Sequence, residues 1–365
     1  MSARVRRLAR VRTAMGAAGV DALLLSLGAD LPWLTGYEAM PLERLTMLVV
    51  PADDAAVLVV PQLEAPRVQP DPEVFGIRPW KEGTDPVATV ARLVGGRRRL
   101  AVSDRTWATF VLALQQALPG RSWGVASSVT GPLRAVKDGE EITALAAASA
   151  AADRVAEALL SGDIRLVGRT ERDVSDEIGR RLLAEGHDRV NFAIVGSGPN
   201  SASPHHAPGG RVIGAGEAVV CDFGGTLGGY CSDTTRTVFT GEPPAELAEL
   251  YAVVQEAQAA AVDAATVGTA CEDVDRVARD RIAGAGYGDA FIHRTGHGIG
   301  LEEHEDPYLV EGNGTPIEVG HAFSVEPGIY LPGRLGARIE DIVVATVGGC
   351  RRLNVADRSL HVVDD

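Results

Sequence analysis

Cysteine is scarce in this chain. The four present, Cys221, Cys231, Cys271 and Cys350, form no C-x-x-C pair, which argues against a thioredoxin-type motif and against a thiolate-rich structural zinc site. So few thiols, so scattered, fit a reducing compartment, and the cytoplasm is expected. Positive charge is also short. With 35 Lys and Arg against 49 Asp and Glu, the net charge is −14, a field that repels phosphate backbones and speaks against nucleic acid as a partner. The same field tolerates cations and peptides with free amino groups. No apolar run reaches the roughly 18 residues that a membrane span needs, so no membrane partner is expected. The amino terminus, basic and then apolar, imitates a secretory leader. However, Asp21 interrupts the apolar stretch, and Val5, Leu8, Arg12 and Met15 recur at helical spacing. An amphipathic helix followed by a strand is read there.

What is present is an α/β pattern long enough for about two domains. The first part alternates helix and strand signals. A helix over 4–18 precedes a buried strand at 22–27, and a hairpin follows, 46–50 with 56–60, turned at P-A-D-D. A helix at 85–94, a strand at 100–103 and a helix at 106–117 complete an α/β unit of about 130 residues. Turn residues at Gly131 and Pro132 mark the expected boundary, giving domains 1–132 and 133–365.

The second part begins with long helices. Asp138 with Glu141 reads as a capping box for a helix bearing Ile142, Leu145, Val155 and Leu159 on one face. Thr170 with Asp173 opens another, with Val174, Ile178 and Leu182. The pattern then repeats: a helix over 245–265, and a box at Thr269 and Glu272 before Val274, Val277 and Ile282. The two second helices are offset by 99 residues (Thr170 to Thr269). The following strands, G-E-A-V-V-C-D-F-G and G-H-A-F-S-V-E-P-G, are offset by 104 (Gly216 to Gly320). So small a drift implies a duplicated helix–helix–strand–strand unit.

The duplication places Asp222 opposite Glu326 in the alignment. Each has a second carboxylate downstream, Asp233 eleven residues on and Glu340 fourteen residues on. Glycine-rich hairpins would bring each pair side by side. Asp222 ends the apolar run A-V-V-C and Glu326 ends A-F-S-V, so the acids sit at the ends of segments that look buried. Buried like charges cost several kcal/mol per ion unless something positive is present, so four converging acids call for cations. Histidine joins them: His293, His297 and His304, three of eight histidines, fall within twelve residues of glycine-punctuated sequence. Gly296 and Gly298 are expected to let the His297 imidazole approach an ion closely. The cysteines read as small core fillers.

Taken in order, D-F-G-G…Y-C-S-D-T-T-R-T, H-R-T-G-H-G-I-G-L-E-E-H, V-E-P-G-I-Y and A-R-I-E-D resemble the metallopeptidase family of methionine aminopeptidase, aminopeptidase P and prolidase. The resemblance runs over about 135–360 and implies the pita-bread fold, an α/β (α+β) architecture with pseudo-twofold halves. The preceding domain, with L-T-G-Y near residue 36, resembles the amino-terminal domain of creatinases, prolidases and aminopeptidases P. Carried over by position, the metal ligands would be Asp222, Asp233, His297, Glu326 and Glu340. Asp222 would hold one ion and His297 with Glu326 the other, with Asp233 and Glu340 bridging. Creatinase, which works without metal, does not keep this set. Two divalent ions are implied, manganese or cobalt in preference, with iron and zinc as alternatives.

The resemblance implies hydrolysis of Xaa-Pro peptides by a water activated between the two ions, as an Xaa-Pro dipeptidase or Xaa-Pro aminopeptidase. Glu326 would carry the proton, and His205 and His304 would position the peptide and steady the oxyanion, with the adjacent His206 as a rival for His205. His293 would line the proline pocket, while Arg338 and Tyr330 would orient neighbouring groups. A short proline-containing peptide is thus the expected partner, and a homodimer the expected assembly. Two other readings stand beside this one: another amide hydrolase on the same scaffold, acting for example on a ring-opened ectoine derivative, and a non-catalytic binding module of the same fold.

Overall fold

Apolar runs of four to six residues bounded by glycine, proline and aspartate form the strands of the amino-terminal part, and amphipathic stretches form its helices. A computed structural model describes residues 2–363. The chain divides into two compact units between Arg134 and Ala135. The first unit runs α1 (Ala3–Ala18), β1 (Ala22–Leu25), α2 (Asp30–Thr35), β2 (Met47–Pro51), β3 (Ala56–Pro61), β4 (Phe75–Trp80), α3 (Pro86–Val94), β5 (Arg99–Val102), α4 (Ala108–Ala117), β6 (Ser122–Val125) and α5 (Ser127–Ala135). Its six strands form one mixed sheet in the order β4-β3-β2-β1-β5-β6. The expected hairpin is there, β2 antiparallel to β3. The expected amino-terminal helix is there too, capped by Ser2 and closed at Gly19, whose φ of 67° suits a residue without a Cβ. Gly131 and Pro132 depart from expectation. They lie inside α5 rather than in a turn. Proline there forgoes only the one N–H bond it cannot make, and the helix ends three residues later.

The second unit holds α6 (Gly139–Leu160), α7 (Glu171–Ala184), β7 (Arg189–Ser197), β8 (Ala218–Leu227), β9 (Tyr230–Cys231), β10 (Thr234–Thr240), α8 (Ala245–Ala264), α9 (Cys271–Gly284), β11 (Gly296–Gly298), β12 (Glu305–Leu309), β13 (Ala322–Val325), β14 (Gly328–Leu331), β15 (Leu335–Arg338), β16 (Asp341–Thr346), β17 (Gly349–Arg352) and β18 (His361–Val363). Two helices and a sheet occur twice. The first sheet runs β18-β10-β8-β7 with β9 on β8, the second β12-β11-β13-β16-β17, and β14 pairs β15 as a separate hairpin.

Each repeat buries its helical stripes against its own strands. Val155, Leu159, Val174, Ile178 and Leu182 pack on Val219, Cys221 and Phe223, and Val254, Val274 and Ile282 pack on Phe323, Val325 and Val343. Each such side chain contributes about 1.5–3 kcal/mol by leaving water. Asp138 with Glu141 and Thr170 with Asp173 form the expected capping boxes. The third does not form. The cap of α9 is Ala270, without a side-chain bond, because Thr269 Oγ1 pairs with Thr266 Oγ1 at 2.9 Å and Glu272 accepts from Gly312 N at 3.2 Å. Val277 is only half-buried, and Ala278 takes the core position beside it. Among the described residues no helix is long and apolar enough to cross a membrane.

Candidate metal centre

Strand register brings the acids together. Gly228 and Gly229, with φ of 58° and 88°, supply the positive φ that a two-residue hairpin turn requires and fold β9 back on β8. With the same register continuing into β10, Asp222 faces Thr235, and Asp233 lies two residues before Thr235, on the same face. Thr235 in turn bridges to Glu340, whose N–H donates to Thr235 O at 3.1 Å. One row, Ile194–Asp222–Thr235–Glu340, thus crosses from the first repeat to the second. Asp222 is paired with Thr235 rather than directly with Asp233, the two aspartates being diagonal neighbours.

The other ligand candidates come from the second sheet. His297 sits at the centre of β11, a strand flanked by β12 and β13 rather than a loop. A Cβ on Gly296 would lie 1.9 Å from Ser324 O, and one on Gly298 2.2 Å from Asp306 O. These glycines therefore admit neighbouring backbones, not an ion as the sequence suggested. Glu326 follows the last residue of β13. Its N–H donates to Thr295 O at 2.8 Å, and its Oε1 accepts from Ser324 Oγ at 3.3 Å. Thr295 is itself held by Asp275, a buried carboxylate of α9 that accepts from Thr295 N at 3.0 Å and Thr295 Oγ1 at 2.8 Å. Asp275 thereby fixes the backbone on which both His297 and Glu326 depend.

Asp222, Asp233, His297 and Glu340 are buried, and Glu326 is nearly so. Asp233, His297 and Glu340 offer ligand atoms within 4.8 Å of one another. Asp222 Oδ1, Asp233 Oδ1 and Glu340 Oε1 are buried with no hydrogen-bond partner. His297 Nε2 lies 3.7 Å from Asp233 Oδ2 and 3.4 Å from Glu326 Oε1. Burial, reinforced by the His304 ring tilted against it 4.0 Å away, drives the His297 pKa well down, so the ring is neutral. Nδ1 is 3.1 Å from Gly298 O, so the proton sits there and Nε2 presents a lone pair to the carboxylates. Lone pairs facing lone pairs need a cation between them. Burial first, then the charges of their neighbours, pushes Asp233 and Glu340 far above the usual carboxylate range. Burial likewise lifts Glu326 to about 7, with Arg338 opposing and Asp222 adding to the rise. Carboxylates so placed hold protons or metal ions. The donor set, four acids and a neutral imidazole with orphaned oxygens turned inward, fits divalent metal.

The same residues line a cavity of about 580 Å³ together with His205, His304, His293 and Arg338. Arg338 donates to Asp222 Oδ2 at 2.7 Å and to Tyr330 Oη at 2.8 Å. Tyr330 Oη therefore donates to His293 Nε2 at 2.8 Å, and His293 Nδ1–H donates to Arg294 O at 2.7 Å. Both ring nitrogens of His293 are thereby used, and burial, with Arg338 second, holds its pKa near 4. It offers the cavity a neutral ring. Tyr330 does not reach the cavity but stands behind Arg338 and His293. Of the two adjacent histidines, His205 lines the cavity, whereas His206 points to Glu171 at 2.8 Å.

Sequence reasoning passed over five lining residues, Phe192, Ile194, Pro204, Arg294 and Glu303. Arg294 lies between His293 and Gly296, and its guanidinium stacks over Tyr308 at 4.5 Å with no side-chain hydrogen bond or ion pair among the described residues. Its place within H-R-T-G-H was the one available signal.

Residues 143–347 match the model of metallopeptidase family M24 and residues 7–136 that of the creatinase/prolidase N-terminal domain. A probable dipeptidase PepE of Mycobacterium tuberculosis is 46% identical over 363 residues, 98% of this chain and 96% of the relative. An Xaa-Pro dipeptidase of Lactobacillus helveticus is 37% identical over 357 residues, covering 94% and 95%. The crystal structure of a prolidase from Thermococcus sibiricus superposes with a TM-score of 0.92 at 35% identity over 100% of both chains. The two-domain build with its doubled second half is accordingly the pita-bread architecture.

Proposed function

This chain belongs to metallopeptidase family M24 and is a peptidase, and from that premise we propose that it is a metal-dependent dipeptidase cleaving Xaa-Pro. The observation that carries the metal part is the set of buried, partnerless oxygens on Asp222, Asp233 and Glu340 facing the neutral His297. Asp222, Asp233, His297, Glu326 and Glu340 would hold two divalent ions, manganese or cobalt in preference to iron or zinc, since oxygen donors with one imidazole suit harder cations. When bound, such ions acidify water and polarise the scissile carbonyl.

The chain's own groups supply the rest. Glu326, the most exposed of the four acids at 15%, takes the proton of the attacking water and returns it to the leaving proline nitrogen. His205 and His304, both at the cavity surface, donate to the carbonyl oxygen as charge develops on it. Phe192, Ile194 and the neutral face of His293 form an apolar wall suited to a pyrrolidine ring. Arg338 fixes Asp222 in place and, through Tyr330, orients His293.

Arg294 favours a dipeptide over a longer peptide. It is a cation in the cavity with no internal partner, while Arg338 is engaged by Asp222 and Tyr330. The carboxylate that follows the proline in a dipeptide, and is missing at that place in a longer peptide, answers it. Turnover of Ala-Pro against Ala-Pro-Pro with added manganese tests the proposal. Equal or faster cleavage of the tripeptide would overturn the dipeptidase reading, and equal cleavage of Ala-Ala would overturn the proline wall. A homodimer is expected on the same resemblance.

A further inference from the structure

A carboxylate outside the ion cavity organises the approach to it. Glu171, the first residue of α7, is fully buried at 0% exposure. It accepts from Ser197 N at 2.9 Å, Ser197 Oγ at 2.8 Å and Asn200 Nδ2 at 3.0 Å, and faces His206 Nε2 at 2.8 Å. Burial alone would raise its pKa, but these donors outweigh it, and the net shift is downward. All of its partners lie in the segment 197–206, which leaves β7 through a short 3-10 turn (Gly198–Ala202) and ends at the cavity.

Pro204 and His205 are where that segment reaches the cavity, and His205 is exposed, with no hydrogen-bond partner among the described residues. Its position is set by its neighbours. On one side the carbonyl of Pro204 lies 3.5 Å from both terminal nitrogens of Arg338, the same guanidinium that holds Asp222. On the other side is His206, bound to Glu171. Ser201, earlier in the segment, accepts from Gly336 N at 2.8 Å. A side chain with free rotation but both flanking residues tethered keeps its backbone origin fixed while its ring can still turn to a substrate.

We propose that Glu171 is a positioning residue for the reaction, setting through His206 where His205 stands at the cavity mouth. The proposal rests on the reading of His205 as a substrate-contacting histidine. A placement error of about 1 Å at such a group can cost up to a hundredfold in rate, so the tether is worth more to turnover than to folding. Replacing Glu171 itself would leave several buried donors unanswered and endanger the fold. The test therefore acts on its partner.

The experiment is a double-mutant cycle in the full-length, manganese-loaded enzyme, comparing His206→Phe, His205→Ala and the double variant, with His206→Gln as a second probe. His206→Phe is expected to lower kcat by roughly tenfold or more with little change in KM and unchanged manganese affinity. His206→Gln, which keeps a donor for Glu171, should recover most of that loss. In the His205→Ala background His206→Phe should cost nothing further, since the two act as one unit. If the losses multiply although His205→Ala is itself impaired, the positioning role is wrong and the reading of His205 survives. If His205→Ala turns over normally, that reading fails and the positioning role fails with it.

Discussion

The hydroxyl of Thr235 donates to Glu340 Oε2 at 2.7 Å, a bond that joins the last strand of one repeat's hairpin to an acid supplied by the other. It satisfies one oxygen of Glu340 and leaves Oε1 buried and unanswered. The same arrangement holds at Asp222, where Arg338 takes Oδ2 and Oδ1 is left free. Each carboxylate is anchored by one oxygen and presents the other.

Chelation should therefore destabilise the enzyme. Dialysis against EDTA is expected to lower the melting temperature, and manganese to restore it, because the acids then repel one another in a buried space. Asp233→Asn combined with Glu340→Gln should nearly abolish activity yet make the metal-free protein melt higher than metal-free parent, which calorimetry would read. Adding manganese to the stripped parent in weak buffer near neutral pH should release protons, since burial holds these acids partly protonated. A melting temperature indifferent to EDTA would count against the metal centre.

Arg294→Ala should raise KM for Ala-Pro by roughly ten- to a hundredfold, the value of about 1.5–3 kcal/mol for a charged hydrogen bond, with kcat little changed. Ala-Pro amide, which lacks the carboxylate, should bind the parent and the variant alike. Steady-state kinetics on the two substrates checks this. A loss of the same size on the amide would move Arg294 from recognition to packing on Tyr308.

Asp275→Asn is isosteric and lies outside the cavity, so its effect should pass through Thr295 to His297 and Glu326. Manganese affinity is expected to fall by roughly ten- to a hundredfold, as for other groups that orient metal ligands, while circular dichroism stays that of the parent. Competition with a metallochromic chelator measures it. Asp275 also pairs with Arg279 at 3.0 Å, and unchanged affinity would confine it to that contact.

Acid should weaken the fold in part through His321. This histidine is buried beside Lys137, and burial with that neighbouring charge holds its pKa near 4. The unfolded chain takes its proton near pH 6.5. Between about pH 6.5 and 4 the unfolded state binds more protons than the folded one, so stability falls as pH falls through that window and is flat in this respect above it. His321→Asn should give a shallower decline of melting temperature from pH 6.5 to 4.5 than the parent. Parallel curves would show that His321 titrates alike in both states.

The duplicated unit, the four acids and the imidazole were legible because they are local signals. An apolar run ending in Asp222 or Glu326 marks a buried strand terminus, and Gly228-Gly229 marks the turn that returns the chain. Less was visible where meaning depends on distant partners. Thr269 and Glu272 have the spacing of a capping box, but Thr266 and Gly312 claim their side chains first. Gly296 and Gly298 signal close approach without saying of what, and the neighbours are backbones of adjacent strands. Glu171 and Asp275 look like ordinary helix-surface acids until the fold lays Ser197 and Thr295 against them. The choice between His205 and His206 turned on one hydrogen bond that joins residues 35 apart.

The row from Asp222 through Thr235 to Glu340 makes the centre a joint product of the two repeats. Neither repeat by itself carries the whole proposed ligand set, because the first provides two aspartates and the second provides two glutamates and the imidazole. Joined in one chain, two units that meet in this way need not be alike, and these differ: the first supplies only acids, the second the ring as well.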